Sequence, residues 1–398
     1  MNGGTPGLRD SVDRIALIAA GLPLLIIGAG GNYEYPDPVH FLALIAGIAG
    51  IAGALVHKRW AGLTILIAVL ALGVYMRALA GDNRASDVLL TTNEALGVLG
   101  SGHNPYTHVY AMTNPPGGLF GYPPGELAFY GLAHLLGANV FRVDMLAGIL
   151  GLGLIASIAP LVGDGLAALA IGPLAVAVDI VFHSTDGSND TAASFLVLVG
   201  IVALAWSFAT SARLARQTLW FTSAVAFGWV VAFKEYALPI TVFVALFLWR
   251  ADARRARGWI AVALATALLF VLPFLAWNPV AFVSNVGGAL LVHQNIWGRN
   301  VWHDLISLEP GEVAIAPLIP AITLAAFVGT AIALWRRPAP SLGAAFLQGC
   351  ALVALVFVMA RWTTSVYYIF LMPLTMVGVA LTLAAERERA GSSGTPPA

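Results

Sequence analysis

Apolar stretches long enough to cross a bilayer follow one another along this chain, each closed by a short polar link. A spanning helix needs about 20 mostly apolar residues. On that measure the expected spans are 14–31, 39–56, 60–80, 122–137, 144–162, 164–183, 190–209, 217–234, 236–250, 258–276, 313–335, 342–360 and 364–385. The runs are continuously apolar rather than alternating, which predicts helices and not the strands of a barrel. Two intervals break the rhythm, 81–121 and 277–312, both long and rich in turn-forming and aromatic residues. In the first, residues 87–100 have the pattern of a short amphipathic helix lying along the membrane, with Asp87 in its first turn. In the second, residues 281–294 are apolar but too short to cross comfortably, and predict a helix at the interface. With no repeat of fixed period, 1–390 reads as one all-α membrane domain and the Gly/Ser/Pro-rich 391–398 as a disordered tail.

Composition agrees. The chain is 59% hydrophobic and 10% charged, with mean hydropathy +0.85, whereas a soluble domain carries about 25% charged residues. A formal net charge of zero gives no sign of a nucleic-acid partner. The single Cys350 sits in an apolar run, where it acts as a small hydrophobe. Residues 15–30 lack a signal-peptide layout and read as a retained first span.

Charge orients the chain. Arg9, Arg14, Lys58, Arg59, Arg142, Arg213, Arg216, Arg250, Arg254, Arg255, Arg257, Arg336, Arg337, Arg387 and Arg389 fall in links that can share the cytoplasm, where Lys and Arg accumulate. Arg77, Arg84, Lys234, Arg299 and Arg361 then lie near the outer face. Counting forward from a cytoplasmic N-terminus puts 81–121 outside. Counting back from the Arg-rich link 250–257 puts 183–190 outside as well. The two counts agree if 164–183 makes two short crossings broken near Gly172–Pro173. The expected total is 12 to 14 crossings.

The candidate chemistry gathers in the outer segments. A carboxylate at an apolar boundary, such as Asp87, can act as a general base; equally, Asp is common at helix starts. Lys234, Arg361, Arg299 and His293 are cations or imidazoles at membrane depth or in the outer loops, and suit a phosphate. Glu94, Asn104, Tyr106, Tyr122, Asn189, Asp190, Trp302 and His303 are polar or aromatic side chains of these segments and candidates to line a ligand site. Asp186, Asn189 and Asp190 form a polar turn that Gly187 makes easy, and this reading is simpler than a metal site. Asp179 lies in an apolar run, as a packing group or on a ligand path. The interface aromatics suit a membrane belt as well as sugar stacking. No phosphate-binding loop or dinucleotide motif is present, so a nucleotide-sugar donor is unsupported.

An Asp opening a surface helix, then Gly102-His103-Asn104-Pro105-Tyr106, then Tyr122-Pro123-Pro124, resembles the first outer loop of GT-C superfamily glycosyltransferases. The pattern is most similar to the polyprenol-phosphate-mannose-dependent mannosyltransferases of actinobacteria. His183 to Asp190 resembles that family's Gly-Gln-Asn-Asp loop, Phe233-Lys234-Glu235-Tyr236 its Lys-containing span entry, and Arg361-Trp362 with Tyr367-Tyr368 its final span. Val88 stands where the family commonly has an aromatic, and Leu90, Thr91 and Thr92 replace usual tyrosines. The resemblance implies an inverting, metal-independent enzyme of the plasma or inner membrane. Its donor would be a polyprenyl-phosphate hexose, mannose by implication, and its acceptor an extracytoplasmic glycolipid or polysaccharide. Asp87 would deprotonate the acceptor hydroxyl. The rival readings are a lipid-linked sugar flippase or exporter, with charges at mid-membrane and on both faces, and a non-catalytic membrane subunit.

Overall fold

The computed structural model describes residues 8–29, 37–56, 58, 60–81, 86–113, 116–287, 297–306, 318–360 and 362–392. It is a polytopic helical membrane protein. The helices are α1 (Leu8–Gly28), α2 (Asp37–Leu55), α3 (Trp60–Ala80), α4 (Asp87–Gly100), α5 (Gly125–Leu135), α6 (Val140–Ser157), α7 (Ala159–Val162), α8 (Asp164–Val176), α9 (Val178–His183), α10 (Asp190–Ala209), α11 (Arg213–Phe233), α12 (Leu238–Ala251), α13 (Ala253–Trp277), α14 (Pro279–Val286), α15 (Val301–Ile306), α16 (Ile319–Arg336), α17 (Leu342–Met359) and α18 (Ser365–Ser392). Two short ribbons complete it: β1 (Val109–Tyr110) pairs antiparallel with β2 (Gly118–Leu119), and β3 (Trp297–Gly298) pairs parallel with β4 (Trp362–Thr363).

Local chemistry sets the helix starts. The Ser86 side chain accepts from the Val88 N–H and opens α4, with Asp87 in the first turn, where the helix dipole favours negative charge. Asp252 accepts from the Arg254 and Arg255 N–H groups and separates α12 from α13. Ser341 does the same for α17 through Ala344. Apolar surface on the bundle exterior is abundant, as at Leu268, Leu272 and Leu324, because lipid rather than water is the solvent there.

Eight helices among the described residues are long and apolar enough to cross a membrane, and two shorter apolar ones join them. The contacts at their ends sort the bundle into two poles. At one pole the Gly165 N–H donates to Asp13, Arg387 reaches the Val162 carbonyl, Arg250 donates to the Trp335 carbonyl and Arg389 to that of Pro340. At the other, Lys234 pairs with Asp190, His183 meets Ser365 and the Trp302 indole donates to the Met359 carbonyl. Following the described chain between poles gives passes by α1, α2, α3, α6, α8 with α9, α10, α11, α12, α13, α16, α17 and α18.

This path corrects two expectations. The segment 122–137 does not cross. Its helix, α5, starts where the Trp229 indole donates to the Gly125 carbonyl, and ends where His134 meets Asn93 of α4, at the same pole. Tyr130 and Glu126, on its inner side, find polar partners there that a lipid-facing helix lacks. Then α6 departs from that pole, so Arg142 in its first turn lies with the candidate site, not opposite it. The segment 164–183 is one pass, not two. Pro173 stays inside α8, and the break falls at extended Ala177, whose N–H still reaches the Pro173 carbonyl. Asp179, expected to be buried, is exposed on the bundle exterior. The interfacial helix expected over 281–294 is α14 through Val286, and the rest lies outside the described residues.

The path is open to labelling. In a Cys350→Ala background, cysteines at the exposed Leu119, before α5, and Leu136, after it, are expected to react with an impermeant maleimide from one and the same side. Labelling from opposite sides would restore a crossing by α5.

Close packing ties the site-bearing helices together. A Cβ on Gly228 would lie 2.1 Å from the Ala263 carbonyl oxygen, and one on Gly125 2.5 Å from that of Ala232. Gly228→Ala therefore forces α11 and α13 apart. Overpacking of this kind costs about 1–3 kcal/mol, read as a fall in Tm of the detergent-purified protein.

Candidate active site

The polar loop before α10 is built to receive the start of α4. The Ser86 N–H donates to the Asp186 carbonyl at 3.0 Å and the Leu89 N–H to the Gly187 carbonyl at 3.1 Å. Gly187 has φ 80°, and a Cβ there would meet the Phe141 ring at 2.6 Å, so the position needs glycine on both counts. The Asp186 carboxylate is committed to the loop itself, accepting from His183 Nδ1 at 2.7 Å and from the Ser188 N–H at 2.9 Å. Asn189 takes the left-handed conformation with φ 63°, which Asn tolerates better than most residues, and Asp190 begins α10. The docking fixes Asp87, half-buried, beside this loop.

A second group of residues converges from α5, α10 and α11. Lys234 ends α11 and is 4% exposed; its ammonium lies 3.8 Å from the Asp190 carboxylate. The Tyr236 hydroxyl donates to the other oxygen of Asp190. The ammonium also sits over two rings, 5.1 Å from the centroid of Tyr122 and 5.5 Å from that of Tyr236. Such cation–π contacts gain strength when desolvated. Glu126, fully buried in the first turn of α5, accepts from the Thr92 hydroxyl, and its Oε2 has no partner. The Asn189 amide lies beside it without closing a hydrogen bond of good geometry. Asp144, fully buried in α6, accepts from the Tyr130 hydroxyl at 3.2 Å.

Tyr122 joins the two groups. Burial holds its phenol well above the ordinary pKa, and the negative charges of Glu126, Asp87 and Asp190 push it the same way. The hydroxyl therefore stays protonated, a hydrogen-bond donor on a ring that carries the Lys234 ammonium over its face.

The remaining first-loop candidates form the wall behind this cluster. Asn104 accepts from the Tyr106 N–H at 2.9 Å, and the Tyr106 hydroxyl donates to the Tyr122 carbonyl at 2.8 Å. The Tyr106 ring packs edge-on against Phe120, Phe274 and Phe282. Tyr106 thus positions Tyr122 rather than presenting its own hydroxyl. Glu94 lies 3.4 Å from His108, farther along α4.

The second long segment contributes less. Trp302 is buried, with its indole N–H given to the Met359 carbonyl at 2.6 Å, so it anchors α15 to the end of α17. His303 is exposed and 3.6 Å from Asp304. Arg299 is exposed, and its backbone N–H donates to the Thr363 carbonyl at 2.6 Å. His293 and Arg361 lie outside the described residues. Of the four phosphate candidates, the described residues therefore bring Lys234 alone to the cluster. Asp87 lines neither the cavity of about 220 Å³ walled by Phe243, Arg250 and Gln348 nor that of about 30 Å³ beside Arg77.

No family model and no curated protein matches the chain. Among solved structures, ArnT resembles it. ArnT from Cupriavidus metallidurans bound to undecaprenyl phosphate is 15% identical with a TM-score of 0.49, over 84% of this chain and 63% of that one. The same protein in the apo state is 17% identical with a TM-score of 0.49, over 82% and 61%. The chain thus spans less than two thirds of the length of ArnT.

Two cluster residues went unnoticed in sequence: Glu126 and Asp144. Both carried a readable signal, an acid within an apolar run, and such residues are functional candidates by default. Thr92 stood out only as a replacement of a tyrosine usual in the resembled family. Among the described residues, no group of three or more His, Cys, Asp or Glu side chains comes together in a way that could hold a metal.

Proposed function

We propose that this chain is a membrane glycosyltransferase of the GT-C type that moves a hexose from a polyprenyl-phosphate donor to an extracytoplasmic acceptor. The observation that carries this reading is the docking of the start of α4, with its half-buried acid Asp87, onto the loop that leads to Asp190, which pairs with a buried cation, Lys234, over the Tyr122 ring. The order of motifs from Asp87 to Tyr368 supports it independently. The basic links at Arg250–Arg257, Arg336–Arg337 and Arg387–Arg389 gather at the opposite pole, so the bias of basic residues toward the cytoplasm turns the site outward. A donor with a polyprenyl tail explains an embedded enzyme, because its lipid never leaves the bilayer.

The chemistry balances simply. The Asp87 carboxylate takes the proton of the acceptor hydroxyl. The freed oxygen attacks the anomeric carbon from the face opposite the phosphate. The bond from that carbon to the phosphate oxygen breaks, its electron pair leaves with the lipid phosphate, and the configuration inverts. Charge building on the departing phosphate falls near Lys234, which acts as a point charge. Asp190 and Tyr236 keep that ammonium in place. By the family pattern the sugar is mannose, the membrane the plasma or inner membrane and no metal takes part; the acceptor is a glycolipid or polysaccharide.

The test uses the full chain in liposomes with radiolabelled polyprenyl-phosphate mannose, glucose or arabinose, or a nucleotide sugar, and glycolipid acceptors. Transfer from the mannosyl lipid with inversion is the expected result. Transfer from the nucleotide sugar alone, or movement of the donor across the bilayer without a product, overturns the reading.

A further inference from the structure

Arg77 ends α3 away from the cluster around Tyr122, and no step above uses it. It is 3% exposed. Its guanidinium donates to the Gly73 and Leu174 carbonyls, both at 3.1 Å. No acidic side chain among the described residues forms a salt bridge with it, and its Nε has no hydrogen-bond partner. Two further buried groups share that condition, the hydroxyls of Thr191 and Ser194, 8% and 3% exposed, in the first turns of α10. All three residues line one cavity of about 30 Å³ between α3, α6, α8, α10 and α18. Ser184 also lines it, but its hydroxyl is given to the Val181 carbonyl. The rest of the wall is apolar, from Leu152, Ile155, Leu198 and Ile369 among others.

Glycine makes the room. A Cβ on Gly148 would stand 3.1 Å from Arg77 Nε and 3.2 Å from the Thr191 methyl group. The result is a full positive charge, an unused N–H and two unused hydroxyls around one small cavity.

We propose that this cavity is a binding site for a small monovalent anion of chloride size. A buried cation without a counter-charge is costly, and two carbonyl dipoles offset it only in part. An anion supplies the missing charge and accepts from all three free donors at once. The N-terminal turn of α10 adds a favourable dipole. The nearby Asp190 does not oppose it, being engaged by Lys234 and Tyr236. Size sets the class: a water needs roughly 10–15 Å³, so a cavity of about 30 Å³ has room for a single halide-sized ion and is small for a phosphate group. The site would fasten α3 to α10 directly beneath the loop that docks Asp87.

The test compares the full-length detergent-purified protein in sodium chloride and in sodium gluconate of equal ionic strength. Chloride is expected to raise Tm by about 3 °C, saturating with concentration as a single site does. Crystals soaked in bromide are expected to show an anomalous peak beside Arg77 Nε. Thr191→Val with Ser194→Ala keeps the charge but removes two donors, and Gly148→Ala narrows the void; each is expected to abolish most of the chloride effect. These variants decide the matter even where Arg77→Met does not fold. Equal Tm in both salts, a cavity holding only water after the bromide soak, or a chloride effect undiminished in both variants overturns the site.

Discussion

Asp87→Asn is expected to lower kcat at least about a hundredfold, since a positioned general base contributes typically 10²–10⁴ in rate. The change is nearly isosteric. It leaves the Ser86 cap of α4 intact, and with it the two backbone bonds that dock α4 onto the loop before α10. The cost to stability includes the interaction of the carboxylate with the helix start, about 0.3–1 kcal/mol. KM for the donor should move little, because the donor phosphate is assigned to Lys234. Turnover by purified wild type and variant, with Tm measured on the same samples, checks this. Product at the wild-type rate would remove Asp87 from the chemistry.

Lys234→Met is expected to be the most damaging single change for stability. It leaves the Asp190 carboxylate, 1% exposed, with only the Tyr236 hydroxyl. Breaking a buried pair by removing one partner costs about 3–5 kcal/mol, mostly through the charge left behind. The cause can be separated from lost packing. In the Lys234→Met background, Asp190→Asn should recover much of the loss, so the two changes are less harmful together than their sum. Thermal unfolding of the four proteins gives the coupling. Additive losses would show that Lys234 acts by packing against Tyr122 and Tyr236 and not by charge. Where Lys234→Met still folds, transfer should fall through kcat more than through KM, because the phosphate gains charge as the bond breaks.

Several helices were legible to within a few residues. The runs 60–80 and 190–209 coincide with α3 and α10, and 87–100 with α4. In each case a capping residue or a charged link marks the ends, and the lipid demands an unbroken apolar run between them. Failure came where hydrophobicity alone was asked to decide crossing. The segment 122–137 is apolar enough to span, yet α5 is anchored at both ends to one pole by Trp229 and Asn93. Its apolar surface packs on Phe233 and α4, a choice that depends on residues about a hundred positions away. That single error forced the false break at Gly172–Pro173, because the parity of crossings had to be restored somewhere.

The site divides along the same line. Asp87, Lys234 and Asp190 were visible as ionisable residues beside apolar runs, where burial has to be justified by a partner or a function. Their relation was not visible: no spacing in the chain says that Lys234 meets Asp190, or that the helix opened by Asp87 docks onto the loop before Asp190. Trp302 shows the converse. By sequence it is an aromatic in a polar loop, available to a sugar; by structure its indole N–H is already spent on a backbone carbonyl.

Taken by itself, the sequence determined the all-helical membrane class, most of the helix boundaries and the set of ionisable residues at one end. These follow from local apolar length and from the distribution of basic residues, both readable along one dimension. Tertiary structure decided which apolar segment crosses, which acid pairs with which base, and where a buried arginine goes without one. Those outcomes turn on contacts between distant segments, where a few tenths of a nanometre separate a satisfied charge from a stranded one.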